Sequence, residues 1–212
     1  MIIYYVGIDP SMNSTGICIQ KYDNDIKIKE DFIILKSVDE RKDSSKWLTK
    51  KEKIAEEHID NFLYLFYNKV DLTEFKTDNH LHEYWKSYNM CMCANTIKHI
   101  VNEFTKDNPS KIYLVMEGIS YGSVQRTKSI FDLAGLNYLV REKFILQNGL
   151  FESIIATPSE IKKFASGNGN CNKEDMINLF IMSHPYFEIL PKIDDIADAY
   201  YMSNYAKQNI MV

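Results

Sequence analysis

The sequence predicts an α/β fold in which a mixed five-stranded sheet carries helices on both faces. Two apolar runs of strand length, 2–8 and 112–116, contain no polar residue and therefore predict strands buried on both faces. The segments 17–21 and 26–35 follow the first run closely, which predicts an antiparallel meander of three strands. A short strand at 153–156 completes the sheet, whose later strands are expected to run parallel.

Helices are predicted from the spacing of apolar residues and from their end signals. Thr157 and Glu160 have the spacing of an N-terminal capping box, with Pro158 in the first helical turn. The polar stretch 70–86 is expected to form a loop or a short extra helix. The other predicted helices cover 50–69, 88–104, 129–147, 173–182 and 194–208.

Length, charge and composition limit the class of protein. With 212 residues and no long linker, we predict one domain over 1–212, enlarged by a helical region at about 44–86. No apolar stretch is long enough for a membrane span and no signal peptide is recognisable, so we expect a cytoplasmic protein, in a bacterium or in the host of a virus.

The four cysteines lack paired zinc spacing, which favours reduced thiols. The net charge of −4 argues mildly against nucleic-acid binding, although lysines and arginines concentrate locally, as at 162–173.

Acidic residues stand at the ends of the two strands predicted to be central. Asp9 directly follows the first of these strands and Glu117 the second. Asp195 and Asp198 lie three residues apart near the start of the last helix, so they share one face. Gathered at one edge of the sheet, these four carboxylates would repel one another and raise several of their pKa values. Two Mg²⁺ ions about 4 Å apart would relieve that repulsion and could promote phosphodiester hydrolysis.

Each of these acids also has a plain structural interpretation. Asp9 could cap a simple turn, and Glu117 could merely end a strand. Asp194 and Asp195 could be first-turn helix residues that interact with the helix dipole by about 0.3–1 kcal/mol each. The occurrence of all three acidic sites in this order around one sheet favours the metal site.

Four blocks of sequence occur in a fixed order along the chain. They are GIDPS…TG at 7–16, Glu117, DIADA at 195–199, and a block with TP at 157–158, IKK at 161–163, GNGN at 167–170 and Lys173. Together they resemble the RuvC Holliday-junction resolvases of the RNase H-like superfamily, and the lysine-bearing block is the most diagnostic. The resemblance covers the chain except for about 36–95 and implies an RNase H-like sheet.

The resemblance implies a homodimeric crossover junction endodeoxyribonuclease. Such an enzyme binds four-way junctions and related branched DNA and nicks two strands, with Mg²⁺ or Mn²⁺ as cofactor. By position, the four carboxylates would be metal ligands, and Asp195 is preferred to Asp194 because of the D-x-x-D spacing. Lys162 and Lys173 match family lysines near the scissile phosphate, where positive charge stabilises the developing pentacoordinate centre.

Further DNA contacts are implied beyond Glu117 and beside Lys162. Tyr121 is the candidate to stack on an opened base, although it lies one place later than the usual aromatic residue. Gln125, Arg126 and Lys128 are expected to contact phosphate, as are Lys162 and Lys163. A solvated helix face is the alternative for Lys162 and Lys173 and the preferred interpretation of Lys163. The enlarged region at 44–86 and the AT-rich coding bias would suit a phage or other viral member.

Three alternatives remain open. A flap, debranching or hybrid-cutting nuclease would keep the fold and the metal chemistry and change the substrate. The GIDPSMNSTG turn also resembles the phosphate loop of actin-like and sugar-kinase ATPases, but those proteins need a second, similar half. A catalytically inactive binding module is disfavoured by the retention of all four carboxylates.

Overall fold

Six strands form one mixed sheet in the computed structural model. The model describes residues 1–39, 41, 43–118, 127–145, 147 and 149–210, with the backbone alone at 127–130 and 210. The strands are β1 (Ile2–Asp9), β2 (Ser14–Asp23), β3 (Ile26–Val38), β4 (Phe62–Asn68), β5 (Lys111–Glu117) and β6 (Phe151–Ala156). Their order is β4-β3-β2-β1-β5-β6, with β1, β2 and β3 antiparallel and every other pairing parallel.

Helices cover both faces of this sheet, as the sequence predicts. They are α1 (Lys50–His58), α2 (Asn79–Phe104), α3 (Thr127–Ile145), α4 (Pro158–Ser166), α5 (Lys173–Ser183) and α6 (Ile193–Ile210), with 3₁₀ turns at Ser44–Lys46, Leu72–Phe75 and Pro185–Ile189. One apolar core packs α2 and α3 against one face of β1, through Tyr4, Val6 and Ile8. A second core packs α1, α4, α5 and α6 against the opposite face, where Tyr5 points. The central strand β1 is therefore buried on both sides, which explains its apolar run.

The prediction of five strands is wrong by one. The predicted helix 50–69 ends at His58 as α1. The chain then forms β4, which pairs in parallel with β3, from Phe62 opposite Phe32 to Asn68 opposite Val38. The run FLYLFY is rich in aromatic residues, which favours a strand, but its apolar positions also fit helical spacing. Pairing with the free edge of β3 decides between the two, and sequence periodicity alone does not contain that information.

The helix before β5 is longer than predicted. It begins at Asn79, nine residues ahead of the predicted start at Tyr88, and the Asp78 side chain caps it by accepting from the Leu81 amide at 3.0 Å. None of the helices in the described residues is long and apolar enough to cross a bilayer.

Candidate active site

Asp9 and Glu117 stand side by side at the carboxyl ends of two adjacent strands. Strands β1 and β5 run parallel, with Ile8 opposite Met116, so the residue that ends each strand lies at the same edge of the sheet. The end of β5 is also fixed from α3, because the buried Asn137 side chain donates to the Glu117 carbonyl at 3.0 Å. The predicted meeting of these two acids therefore follows from the register of the sheet.

Two glycines let α6 approach the same edge closely. A Cβ added to Gly7 would lie 1.9 Å from the Ala199 carbonyl oxygen, and one added to Gly16 would lie 2.0 Å from the Asp195 carbonyl oxygen. Any side chain at either position would push α6 off the sheet. The glycines of the GIDP and TG segments thus bring the first two turns of α6, with Asp195 and Asp198, close to the end of β1.

The pKa values show how strongly the four acids act on one another. Burial raises the pKa of Asp9 well above its ordinary value, and the charges of Asp198, Asp195 and Glu117 raise it further. Burial also raises the pKa of Glu117, again with a contribution from Asp198. Burial raises the pKa of Asp198 to about 6, even though the positive charge of Lys173 opposes the shift. Bringing these carboxylates together therefore costs free energy unless cations are present.

The donor chemistry fits a divalent cation, but the present side-chain positions do not converge on one. Within the described residues, no group of three or more His, Cys, Asp or Glu side chains is close enough to hold an ion. Carboxylate oxygens are nevertheless the donors that Mg²⁺ prefers, and the mutual repulsion of these four is what such an ion would relieve. The four acids thus form a site of suitable chemistry whose side chains would have to turn inward on binding.

Asp195 is held by a residue that the sequence does not single out. The Ser14 hydroxyl donates to Asp195 Oδ2 at 2.5 Å, and Ser14 is only 4% exposed. The loop before Ser14 is held in turn by the end of β4. The Tyr67 hydroxyl donates to the Met12 carbonyl at 2.6 Å. Lys69, the first residue after β4, donates from Nζ to Asn13 Oδ1, also at 2.6 Å. The sequence carries no signal for this contact, because its partners lie 181 residues apart.

The lysine-bearing block places Lys173 against the acids. The predicted capping box of Thr157 and Glu160 is confirmed at the start of α4, and Gly167 ends that helix with a left-handed φ of 78°. Helix α5 then begins at Lys173, whose Nζ lies 2.7 Å from Asp194 Oδ2 and 3.9 Å from Asp198 Oδ2.

Lys162 reaches the same acids from α4. It lines a cavity of about 120 Å³ together with Lys173, Glu117 and Asp198. Lys162 and Lys173 of this block therefore lie beside the carboxylates, on different helices.

One solved structure with the same architecture identifies the fold. The chain aligns with Thermus thermophilus RuvC at a TM-score of 0.52 and 12% identity, over 97% of this chain and 92% of that one. The chain has the RuvC fold. Two further similar structures are T. thermophilus RuvC in complex with a Holliday junction substrate (TM-score 0.45, 13% identity, 97% and 92% covered) and the yeast mitochondrial Holliday junction resolvase Ydc2 (TM-score 0.47, 15% identity, 96% and 76% covered). No protein-family model matches the sequence, and no curated protein matches it.

Within this RuvC fold, Asp194 and Asp195 have different surroundings. Asp194 is bound to Lys173, and although burial acts to raise its pKa, that hydrogen bond and charge hold the pKa below its ordinary value. Both Asp194 and Asp195 raise the pKa of Asp198, and Asp195 also raises that of Asp9 at the end of β1. These surroundings favour Asp195 over Asp194 as the acid that faces β1.

Four of the other predicted DNA-contacting residues precede or begin α3, and the fifth lies on α4. Lys163 is exposed on α4, as either a phosphate contact or a solvated face requires. Tyr121, Gln125 and Arg126 lie outside the described residues, and Lys128 is described only by its backbone in α3. Their roles stay predictions.

Proposed function

We propose that this chain is a metal-dependent endonuclease that cuts branched DNA, four-way junctions above all, by paired nicks. The observation that carries the proposal is the gathering of four carboxylates and two lysines at the carboxyl ends of the central strands of a RuvC fold. The choice of substrate rests on the lysine-bearing block, which resembles that of the junction resolvases.

Asp9, Glu117, Asp195 and Asp198 would hold two Mg²⁺ ions, for which Mn²⁺ could substitute. When bound, such ions supply a polarised water and neutralise charge on the phosphate. Ser14 fixes the orientation of the Asp195 carboxylate. Lys173 and Lys162 present positive charge beside the same acids, where it would stabilise a phosphate oxygen as its negative charge increases.

A panel of matched DNA substrates tests this function. Purified protein with Mg²⁺ is incubated with four-way, three-way, flap and linear DNA of the same sequence, and the products are mapped on denaturing gels. Symmetric nicks in the four-way junction, absent with EDTA, are the expected result. Preferential cutting of flaps would favour the flap or debranching alternative, and cutting of none would contradict the proposal.

The ATPase alternative has less support than the nuclease. Actin-like and sugar-kinase ATPases combine two similar halves, whereas the described part of this chain forms one sheet. The acids Asp195 and Asp198 and the lysines of α4 and α5 also have no part in that interpretation.

Replacing Ser14 with Ala is expected to weaken Mn²⁺ binding by about 10-fold, because residues that orient metal ligands typically contribute 10- to 100-fold to metal affinity. Isothermal titration calorimetry without DNA measures the change independently of activity. The matched control is Ser203→Ala, which removes another buried hydroxyl from the interface of α6, where Ser203 donates to the Tyr200 carbonyl. Equal metal affinity in wild type and Ser14→Ala would remove Ser14 from the site.

We also propose a homodimer formed through α3. Phe131, Tyr138 and Ile145 recur every seven residues on one side of α3 and are 75%, 57% and 66% exposed. A second copy would cover this apolar stripe.

The variant Tyr138→Glu with Ile145→Glu is expected to sediment at half the mass of the wild type, because two charges cannot be buried in an apolar interface at low cost. Sedimentation velocity measures the mass, and circular dichroism verifies the fold. Tyr186→Glu is the control, since the Tyr186 side chain is as exposed as those of the stripe but lies on the Pro185–Ile189 turn, away from α3. A monomeric wild type, or a variant that remains dimeric, would contradict this interface.

A further inference from the structure

A large cavity among the described residues lies outside the acidic site. It has a volume of about 740 Å³ and runs between the loop that follows Asp9, the start of α2 and the first turns of α3. Its lining combines apolar side chains, Phe131 of α3 among them, with three lysines and three amide side chains: Lys69, Lys76, Lys86, Asn13, Asn79 and Asn89. We call it the lysine groove.

The charges of the lysine groove do not cancel. Its two carboxylates, Glu83 and Asp132, both face Lys86 Nζ, at 2.8 Å and 3.3 Å. In the part of the chain that the structure describes, neither Lys69 nor Lys76 forms an ion pair, and Lys69 Nζ instead donates to the Asn13 side chain. The groove therefore presents positive charge together with amide groups that can donate to and accept from a ligand.

The groove lies next to the acidic site along the chain. One loop separates them, since Met12 and Asn13 form part of the groove wall and Ser14, the next residue, binds Asp195. A polyanionic strand with one phosphate at the acids would meet the groove directly beyond this loop. The groove walls from residue 69 to 90 belong mostly to the segment that the resemblance to junction resolvases does not cover.

We propose that the lysine groove binds the sugar-phosphate backbone of a DNA strand that leaves the acidic site. The inference rests on the proposed nuclease function and adds a substrate-binding subsite to it. Lysine ammonium groups neutralise phosphates, and the amides donate to phosphate or sugar oxygens without regard to base sequence. The subsite would extend contact with an arm of the substrate and would carry no sequence preference.

The test compares the variant Lys69→Ala with Lys76→Ala, the two groove lysines without an ion pair among the described residues, against the wild type. Binding to a four-way junction is measured by fluorescence anisotropy with Ca²⁺ in place of Mg²⁺, at several salt concentrations. The expected result is weaker binding and a slope of log Kd against log salt that falls by about 2, one for each lost phosphate contact. The matched control is Lys50→Ala with Lys51→Ala, two exposed lysines of α1 on the opposite face of the sheet, which should leave the slope unchanged.

Two outcomes would overturn the subsite. One is an unchanged salt slope in the groove variant. The other is loss of the dimer by sedimentation, which would make the groove wall a subunit interface. These outcomes are distinct from failure of the nuclease proposal. A wild-type protein that cuts no branched DNA can still bind the junction, and the salt dependence of that binding can still be compared between the wild type and the groove variant.

Discussion

Replacing Asp198 with Asn is expected to abolish cleavage, with a rate lower by on the order of 10³-fold or more, while junction binding persists. Asn keeps the size of the side chain and removes the charge that would hold a divalent ion. The Asp198 side chain is 26% exposed and borders the cavity that Lys162 and Lys173 share, so the substitution changes charge at the centre of the site. Single-turnover nicking and anisotropy on the same junction measure the two effects separately.

The stability of the metal-free protein provides the control for this substitution. Burial raises the pKa of Asp198 from its ordinary value of 3.8 to about 6, so the folded state binds its proton more tightly than the unfolded state does. Stability of the wild type should therefore fall relative to Asp198→Asn as the pH rises from about 4 to about 6, by about 3 kcal/mol in all. Urea unfolding of both proteins in EDTA, at a series of pH values, measures this difference in the free energy of unfolding. A variant that loses junction binding, or is less stable at pH 7, would identify Asp198 as a structural residue.

Replacing Lys173 with Ala is expected to slow nicking by about 100-fold and to weaken junction binding much less. The Lys173 ammonium group lies 2.7 Å from Asp194 and 3.9 Å from Asp198, so its charge acts where the phosphate would be cut. A fixed charge at that point stabilises the transition state more than the bound substrate. The ratio of the single-turnover rate to the Kd of the junction separates the two effects.

Lys46→Ala is the matched control for Lys173→Ala, because Lys46 is exposed in the Ser44–Lys46 turn, away from the acids. An unchanged nicking rate in Lys173→Ala would remove this lysine from the site. An equal loss of rate and affinity would make it a DNA-binding residue without a role in the chemical step.

The sequence predicts the parts of the fold that local chemistry determines. The apolar runs of β1 and β5, the acids that end them and the capping box of α4 are all recognisable from neighbouring residues. Strand β4 is missed because its apolar positions satisfy helical spacing as well, and only pairing with β3 makes it a strand. The contact of Ser14 with Asp195 is missed because it depends on how α6 packs across Gly16.

The net charge illustrates the same limit. A total of −4 argues against a nucleic-acid partner, yet the fold concentrates lysines beside the acids and along the groove. Composition sums charge over the whole surface, whereas binding depends on the local field, which only the folded chain defines.

The most direct test of the account is to locate Mn²⁺ in crystals of the wild-type protein by anomalous diffraction. We expect two anomalous peaks among Asp9, Glu117, Asp195 and Asp198, with Asp194 still bound to Lys173. The absence of any peak at these four carboxylates, or an ion held by Asp194 while Asp195 stays with Ser14 alone, would contradict it.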